Sequence, residues 1–473
     1  MEKPSLAKAR CRNKDNVEYK EFKPIVNKEL FNGKKYFLKT YGCQMNEHDS
    51  ELIANLVENI GFEPASKMEE ADLVILNTCA IRENAHDKVF GFLGRCKHEK
   101  EKNNKDMIIS LAGCMAEEPI VVEEILSKHK YIDLVFGPNY IQELPNYLMN
   151  LTDKTSVHAA SKEGDVIEGV DYTRDSKITA WVNIMYGCDK FCTYCIVPYT
   201  RGMQRSRKSN YIINEVKKLK KDGYKEVTLL GQNVNAYGKD LDNEISFASL
   251  LEEVAKTKID RVRFVTSHPW DFTDEMIDII SKYENIMPYI HLPIQSGSDE
   301  ILRKMGRRYT KEEYLTLYKK IKEKIPDAAV TTDIIVGFPG ETEKDFNETL
   351  DVVKKCKYDG AFTFIYSKRD GTPAAKMPDD VSEEEKKQRL YRLNELINKY
   401  SLESNKKLLN KIEDVLITNK STKGDNVYIG YTKTNKLVNV SSKYDIIGKI
   451  VNVKIKEAKS FNLDGVVLNE ISN

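Results

Sequence analysis

The 473-residue sequence predicts an α/β chain in three parts: an N-terminal doubly wound parallel sheet, a central partial (β/α)6 barrel and a small C-terminal antiparallel β-barrel. Three observations carry this prediction. Apolar runs alternate with amphipathic stretches over residues 34–149. The alternation resumes, and runs longer, over 176–403. After 404 the texture changes to short β-rich runs broken by Gly, Asn, Asp and Ser.

In the first part the strand-like runs fall at 36–40, 73–76, 107–111 and 132–136. Between the first two, the stretch 50–60 sets Leu52, Leu56, Val57 and Ile60 on one helical face. Strands that alternate with helices imply parallel order. Residues 1–33 lack hydrophobic period and read as a flexible arm, and the polar stretch 150–175 reads as a linker. In the second part, strands are expected at 180–185, 226–230, 262–266, 289–293, 330–336 and 361–366, with helices such as 247–255 and 309–324 between them. Six such units suit a curved, partial barrel better than a closed eightfold one. A long charged helix follows, with Leu390, Leu393, Ile397 and Tyr400 as its apolar stripe. The last part has strand candidates at 415–418, 427–431, 437–440, 449–455 and 466–468. There, twelve lysines stand against seven acids, which suits either a polyanion partner or a solubilising surface.

Composition narrows the class. The chain carries 74 Lys and Arg against 73 Asp and Glu, a net charge of +1, so a polyanion would meet local patches rather than a global basic field. No apolar run approaches the length of a membrane-spanning helix, and the N-terminus lacks the apolar core of a signal peptide. The expectation is a cytoplasmic protein without a membrane partner. Nine cysteines in a reducing compartment point to metal or chemistry before disulfides.

Cys188, Cys192 and Cys195 form a Cys-x3-Cys-x2-Cys loop just after the first barrel strand. Three thiolates there can hold three irons of a 4Fe–4S cubane and leave the fourth open to a chelating amine and carboxylate. A zinc site would want a fourth Cys or His at matching spacing, and none lies nearby. Cys43, Cys79 and Cys114 are far apart in sequence, but each ends a strand of the first sheet. Parallel order brings those ends to one edge, so the three can converge on a second cluster. The bland alternative is three buried small apolar residues. Cys11, Cys96 and Cys356 have no partners at useful spacing and read as structural thiols.

The loop, with an aromatic before its last cysteine, resembles that of radical S-adenosylmethionine enzymes. Together with the cysteine-bearing first domain and the small terminal barrel, the chain resembles the methylthiotransferases, from about residue 34 to the C-terminus. The stretches that carry this are Thr-Tyr-Gly-Cys-Gln-Met-Asn at 40–46, Asn-Thr-Cys-Ala-Ile-Arg at 77–82, Cys-Ile-Val-Pro-Tyr-Thr-Arg-Gly at 195–202, Gly-Gln-Asn-Val-Asn-Ala-Tyr-Gly at 231–238, His-Leu-Pro-Ile-Gln-Ser-Gly-Ser at 291–298 and Asp-Ile-Ile-Val-Gly-Phe-Pro-Gly at 333–340. Asp370 departs from the family, which often has Pro there.

The resemblance implies two 4Fe–4S clusters, with S-adenosylmethionine as radical source and methyl donor. Cys188, Cys192 and Cys195 would hold the first cluster, and Cys43, Cys79 and Cys114 the second, which carries the inserted sulfur. The terminal segment would be a TRAM-type RNA-binding domain. The substrate would be tRNA, and a reductant such as flavodoxin or ferredoxin would supply electrons, with the sulfur donor open. The stretch 231–238 favours the branch acting on isopentenyl-adenosine beside the anticodon. Sister branches act on threonylcarbamoyl-adenosine or on an aspartate of a ribosomal protein, and a zinc-binding RNA scaffold is the reading from another class. Gln232 and Ser296 are placed with the cofactor by the resemblance. Tyr194 is either a stacking partner for the cofactor adenine or a packing aromatic, and Gly337 and Gly340 allow close backbone approach or shape a turn. Arg201, Arg205, Arg207 and Lys208 form a basic run that faces tRNA phosphates, the cofactor carboxylate or plain solvent. His268 and His291 end strands at the barrel mouth and receive no ligand role.

Overall fold

The computed structural model describes residues 17–80, 83–159, 164–422 and 424–468, with backbone alone at 83–87. Its strands begin with β1 (Tyr19–Glu21), β2 (Lys35–Tyr41), β3 (Glu63–Pro64), β4 (Leu73–Thr78), β5 (Ile108–Gly113), β6 (Leu134–Phe136), β7 (Ser156–His158) and β8 (Val166–Glu168). Strands β2 to β7 form one six-stranded sheet in the order β3-β2-β4-β5-β6-β7, and every pair in it is parallel. All six residues of β4 are buried, because helices cover both sheet faces. Leu73 and Ile75 pack on one side with Ile53, Leu56 and Val57 of the helix Gln44–Asn59. Val74 and Leu76 pack on the other with Phe92 and Leu93 of the helix Glu83–Lys102.

Two stretches differ from their sequence reading. Tyr19–Glu21, within the expected arm, pairs in parallel with Val166–Glu168, within the expected linker. The same linker supplies β7, the edge of the six-stranded sheet. Three-residue strands are too short to show a period, so sequence pattern passes over them.

The central part holds β9 (Thr179–Asn183), β10 (Met185–Tyr186), β11 (Arg205–Ser206), β12 (Glu226–Leu230), β13 (Arg261–Phe264), β14 (Tyr289–His291), β15 (Ala329–Val336) and β16 (Gly360–Ile365). Its wall is two parallel three-stranded runs, β9-β12-β13 and β14-β15-β16, linked by the single bridge Val262–Ile286. Among the described residues no ladder joins β9 to β16, so the barrel is open along that seam. Alternate strand residues, Val227, Leu229, Val330 and Ile334 among them, pack outward on the helices. The helix Glu383–Lys406 starts at a Ser382/Glu385 capping box and buries Leu393 and Ile397, with Leu390 and Tyr400 beside them.

The final strands are β17 (Ile412–Lys420), β18 (Val427–Thr432), β19 (Leu437–Ser441), β20 (Ile450–Ala458) and β21 (Leu463–Val467), closed in the order β17-β18-β19-β21-β20. Four contacts are antiparallel, and β19–β21 is parallel. Five strands cannot alternate direction all round a closed ring, so one like-directed pair is a geometric necessity. The other four pairs keep the antiparallel order expected of the small barrel.

The small barrel docks at the amino end of the large one. Arg261 donates to the Tyr431 carbonyl at 2.8 Å and to the Asp414 carbonyl at 3.0 Å, and also pairs with the Asp414 carboxylate. Arg263 donates to the carbonyls of Thr432 and Lys433, at 2.8 and 3.0 Å, and is held by Glu226 at 2.8 Å. Lys436 reaches Asp359 at 3.1 Å, at the foot of β16. Among the described residues no helix is long and apolar enough to cross a membrane.

A charged donor bonded to carbonyls contributes about 1.5–3 kcal/mol per contact. The double variant Arg261→Ala/Arg263→Ala should therefore weaken docking by about 3 kcal/mol or more. Hydrogen exchange should rise at 431–436 and stay unchanged in the six-stranded sheet.

Candidate active site

Cys43, Cys79 and Cys114 follow β2, β4 and β5 directly, at the carboxyl edge of the first sheet. Cys43 caps the helix Gln44–Asn59, and its Sγ lies 3.3 Å from the Asn46 side-chain oxygen. Asn46 is fully buried and bonds Asn77 at 3.2 Å, while Asn77 returns a 2.8 Å bond to the Asn46 carbonyl and a 2.9 Å bond to Ser50. These amides tie the Cys43 turn to the Cys79 turn. Gly113 sits at φ +91°, and a Cβ there would meet Asn77 and Thr78 oxygens at 2.4 Å, so Cys114 is delivered from a position only glycine can occupy. A bond with Cys79, Arg201 nearby and the helix amides pull the Cys43 thiol down to about 5. Burial pushes Cys114 up.

The loop of Cys188, Cys192 and Cys195 follows β10 at the barrel mouth. Gly187, at φ +67°, lets the chain press against the carbonyls of Gly202 and Met203, and Phe191 is left-handed at φ +47°. Thr193 is fixed by the Met305 carbonyl at 2.9 Å and by its own hydroxyl bond to Lys304 at 2.8 Å. Arg307 reaches Cys192 Sγ at 3.6 Å. Burial raises Cys188 to about 12 and pushes Cys195 above its usual range.

The two triads face each other across one apolar contact. Ala80, beside Cys79, packs with Cys114, with Ile196, beside Cys195, and with Tyr199 and Phe191. Arg201 runs through this contact, donating to Cys114 Sγ at 3.2 Å and to Asp49 at 2.6 Å. The basic run is therefore not a phosphate-facing patch. Arg205 is buried against Asn139, and Arg207 is buried between Glu168 at 2.8 Å and Glu215 at 2.9 Å. Lys208 alone is exposed, over the Tyr19 ring. The acidic partners come from distant segments, which the local sequence does not reveal.

The remaining candidates are placed as follows. The half-buried Tyr194 packs with Phe338, Met305 and Ala374, its ring 6.5 Å from that of Phe338. Gly337 and Gly340 are left-handed, at +69° and +76°, in the turn after β15, and lysine side chains of Lys386 and Lys304 close over them. Ser296 is buried, its hydroxyl near Thr349. Among the described residues, Gln232 Oε1, Asn233 Oδ1 and Ser267 Oγ are buried without a hydrogen-bond partner. Unpaired acceptors beside the thiol loop fit a polar ligand that carries its own donors. Asn46, Asn77, Asp49 and Arg307 escaped the sequence reading of the site, although an Asn ending the apolar run of β4 is a readable anomaly. Cys96 and Cys356 are buried in separate cores, burial raising each to about 12, and Cys11 lies outside the described residues.

Among the described residues no three His, Cys, Asp or Glu side chains gather as tightly as a single ion requires. Two sets of three thiols instead match a group that brings its own sulfides and spreads its ligands over several irons.

A parallel βα barrel with a three-cysteine loop at its mouth defines the class of radical S-adenosylmethionine proteins. Residues 182–353 match the Radical SAM superfamily, residues 35–137 the uncharacterized protein family UPF0004, and residues 406–468 the TRAM domain. A solved radical S-adenosylmethionine methyltransferase, TsrM of Kitasatospora setae, shares the fold at 15% identity and a TM-score of 0.53, over 72% of this chain and 75% of that one. The tRNA-2-methylthio-N(6)-dimethylallyladenosine synthase of Bacillus cytotoxicus is 51% identical over 99% of this chain and 92% of its own length, and that of Bacillus subtilis 50% over the same shares. The chain belongs to this family of synthases.

Removing one partner of a buried ion pair strands the other charge, at about 3–5 kcal/mol. Arg201→Ala should lose that much stability in denaturant unfolding. Arg201→Ala/Asp49→Ala should lose clearly less than the two single variants added together, because Asp49 is then no longer left unpaired.

Proposed function

We propose that the protein places a methylthio group on carbon-2 of N(6)-isopentenyladenosine beside the anticodon of tRNA. The observation that carries this is the facing of two cysteine triads across the Ala80–Ile196 contact, one on the sheet edge and one at the barrel mouth. Cys188, Cys192 and Cys195 hold one 4Fe–4S cluster, and Cys43, Cys79 and Cys114 hold the second. When bound, these clusters with S-adenosylmethionine supply the radical chemistry, the sulfur and the methyl group, which no side-chain base can provide for an unactivated aromatic C–H.

The chain's own residues position and enclose. The Asn46–Asn77 amides hold two thiols in register, and Arg201 fixes the distance between the triads. Arg307 holds Cys192 in place within the barrel mouth. The unpaired acceptors of Gln232, Asn233 and Ser267 receive donors of the cofactor, while Tyr194, Gly337, Gly340 and Ser296 shape the walls around it. The C-terminal barrel and Lys208 meet the RNA, and a small reductant such as flavodoxin or ferredoxin delivers electrons.

Reconstituted protein should hold about eight irons per chain, and Ala at 188, 192 and 195 should leave about half. That variant should form no deoxyadenosine. With Ala at 43, 79 and 114, cofactor cleavage should persist while methylthiolation stops. Mass analysis of nucleosides should show turnover on tRNA bearing isopentenyl-adenosine and background on tRNA bearing threonylcarbamoyl-adenosine. Turnover on the second alone would move the protein to the sister branch.

A further inference from the structure

Strand β16 ends the barrel wall, paired among the described residues only with β15, and like every barrel strand it turns one face to the helices and the other to the lumen. Thr363 bonds Asn394 of the helix Glu383–Lys406 at 2.6 Å, and Ala361 and Ile365 join the outer core. Phe362 and Phe364 alternate with them and point the other way. They are 59% and 45% exposed, an uncommon state for two aromatics on a barrel strand.

Register places a polar pair beside this wall. Phe362 aligns with Asp333 and Phe364 with Ile335, and parallel neighbours share a face. His291 lies 3.3 Å from Asp333 through Nε2 and 3.0 Å from Thr331 through Nδ1, and its ring meets Phe362 edge-on at 5.9 Å. Upward, the same face passes to Tyr366, then to Phe338 at 5.1 Å, then to Tyr194 in the cysteine loop at 6.5 Å. The wall is continuous with the proposed site.

We infer that Phe362 and Phe364 form the subsite for the alkenyl chain on N6 of the substrate adenine, with Asp333, oriented by His291, accepting the remaining N6–H. This rests on the reading under Proposed function and names the residues that recognise its substrate. The chemistry of an N6-alkylated adenine matches this wall: one N–H donor beside one apolar chain faces one carboxylate aligned with one exposed aromatic. A substituent bearing a carboxylate, such as threonylcarbamoyl, would lie against the same wall with its charge unpaired and near Asp333.

The test uses cluster-reconstituted full-length protein and two anticodon stem-loop RNAs, one with isopentenyl-adenosine and one with unmodified adenosine. Affinity for each is measured by fluorescence anisotropy. Wild type should prefer the prenylated RNA, and Phe362→Ala and Phe364→Ala should each cut that preference about tenfold. Phe362→Leu should restore most of it. Iron content and affinity for unmodified RNA should not move. An unchanged preference in both Ala variants overturns the subsite, and so does an equal loss for both RNAs. Wild-type turnover on prenylated tRNA is scored separately. Its presence with unchanged variant preference overturns the subsite alone, and its absence overturns the parent reading together with the subsite.

Discussion

One buried guanidinium sets the geometry of everything around the thiols. Arg201 leaves the barrel just after the cysteine loop, enters the first domain, and bonds both Asp49 and Cys114. Burying that charge is costly, and the Asp49 carboxylate offsets the cost only while the two domains stay in place. The ion pair thus works as a gauge of domain spacing. Lysine could not replace it, since a single ammonium lacks the fork that reaches a carboxylate and a sulfur together.

Other parts of the fold depend on that spacing in turn. The Asn46–Asn77 pair keeps the Cys43 and Cys79 turns together, but it cannot bring them to the barrel. The small apolar cluster of Ala80, Cys114, Ile196 and Tyr199 lies against Arg201, which bonds its Cys114. Glu168 and Glu215 perform a similar service lower down, where Arg207 is shared between the strand after the first domain and the helix Ser209–Lys221. Charges that look surplus in sequence are internal struts in three dimensions.

Much of this was legible beforehand, for physical reasons. The six cysteines stood out because three share a tight loop and three end strands, and parallel order makes strand ends coincide. The strands of the first sheet appeared as apolar runs because they are buried on both faces, and those of the barrel because the face packed on the helices is apolar. The basic run misled, since its acidic partners Asp49 and Glu168 lie 152 and 39 residues away in sequence. Strands β1, β7 and β8 were too short to carry a period, and the parallel β19–β21 pair follows from closure, which no local pattern encodes. The exposure of Phe362 and Phe364 was hidden for a further reason. Their segment reads as an ordinary strand, and only the fold shows which of its faces meets the helices and which the lumen.

The docking of the small barrel has a topological consequence. The end of β18 and the residue after it sit against Arg261 and Arg263 at the amino end of the barrel wall. Among the described residues the wall stays unclosed between β9 and β16. A base in a paired stem is held in its stack, whereas a lone nucleotide swung out of it is free to enter a barrel mouth. Admission would favour a base in a loop over the same base in a helix, a selection by shape that operates before any side chain reads the substituent.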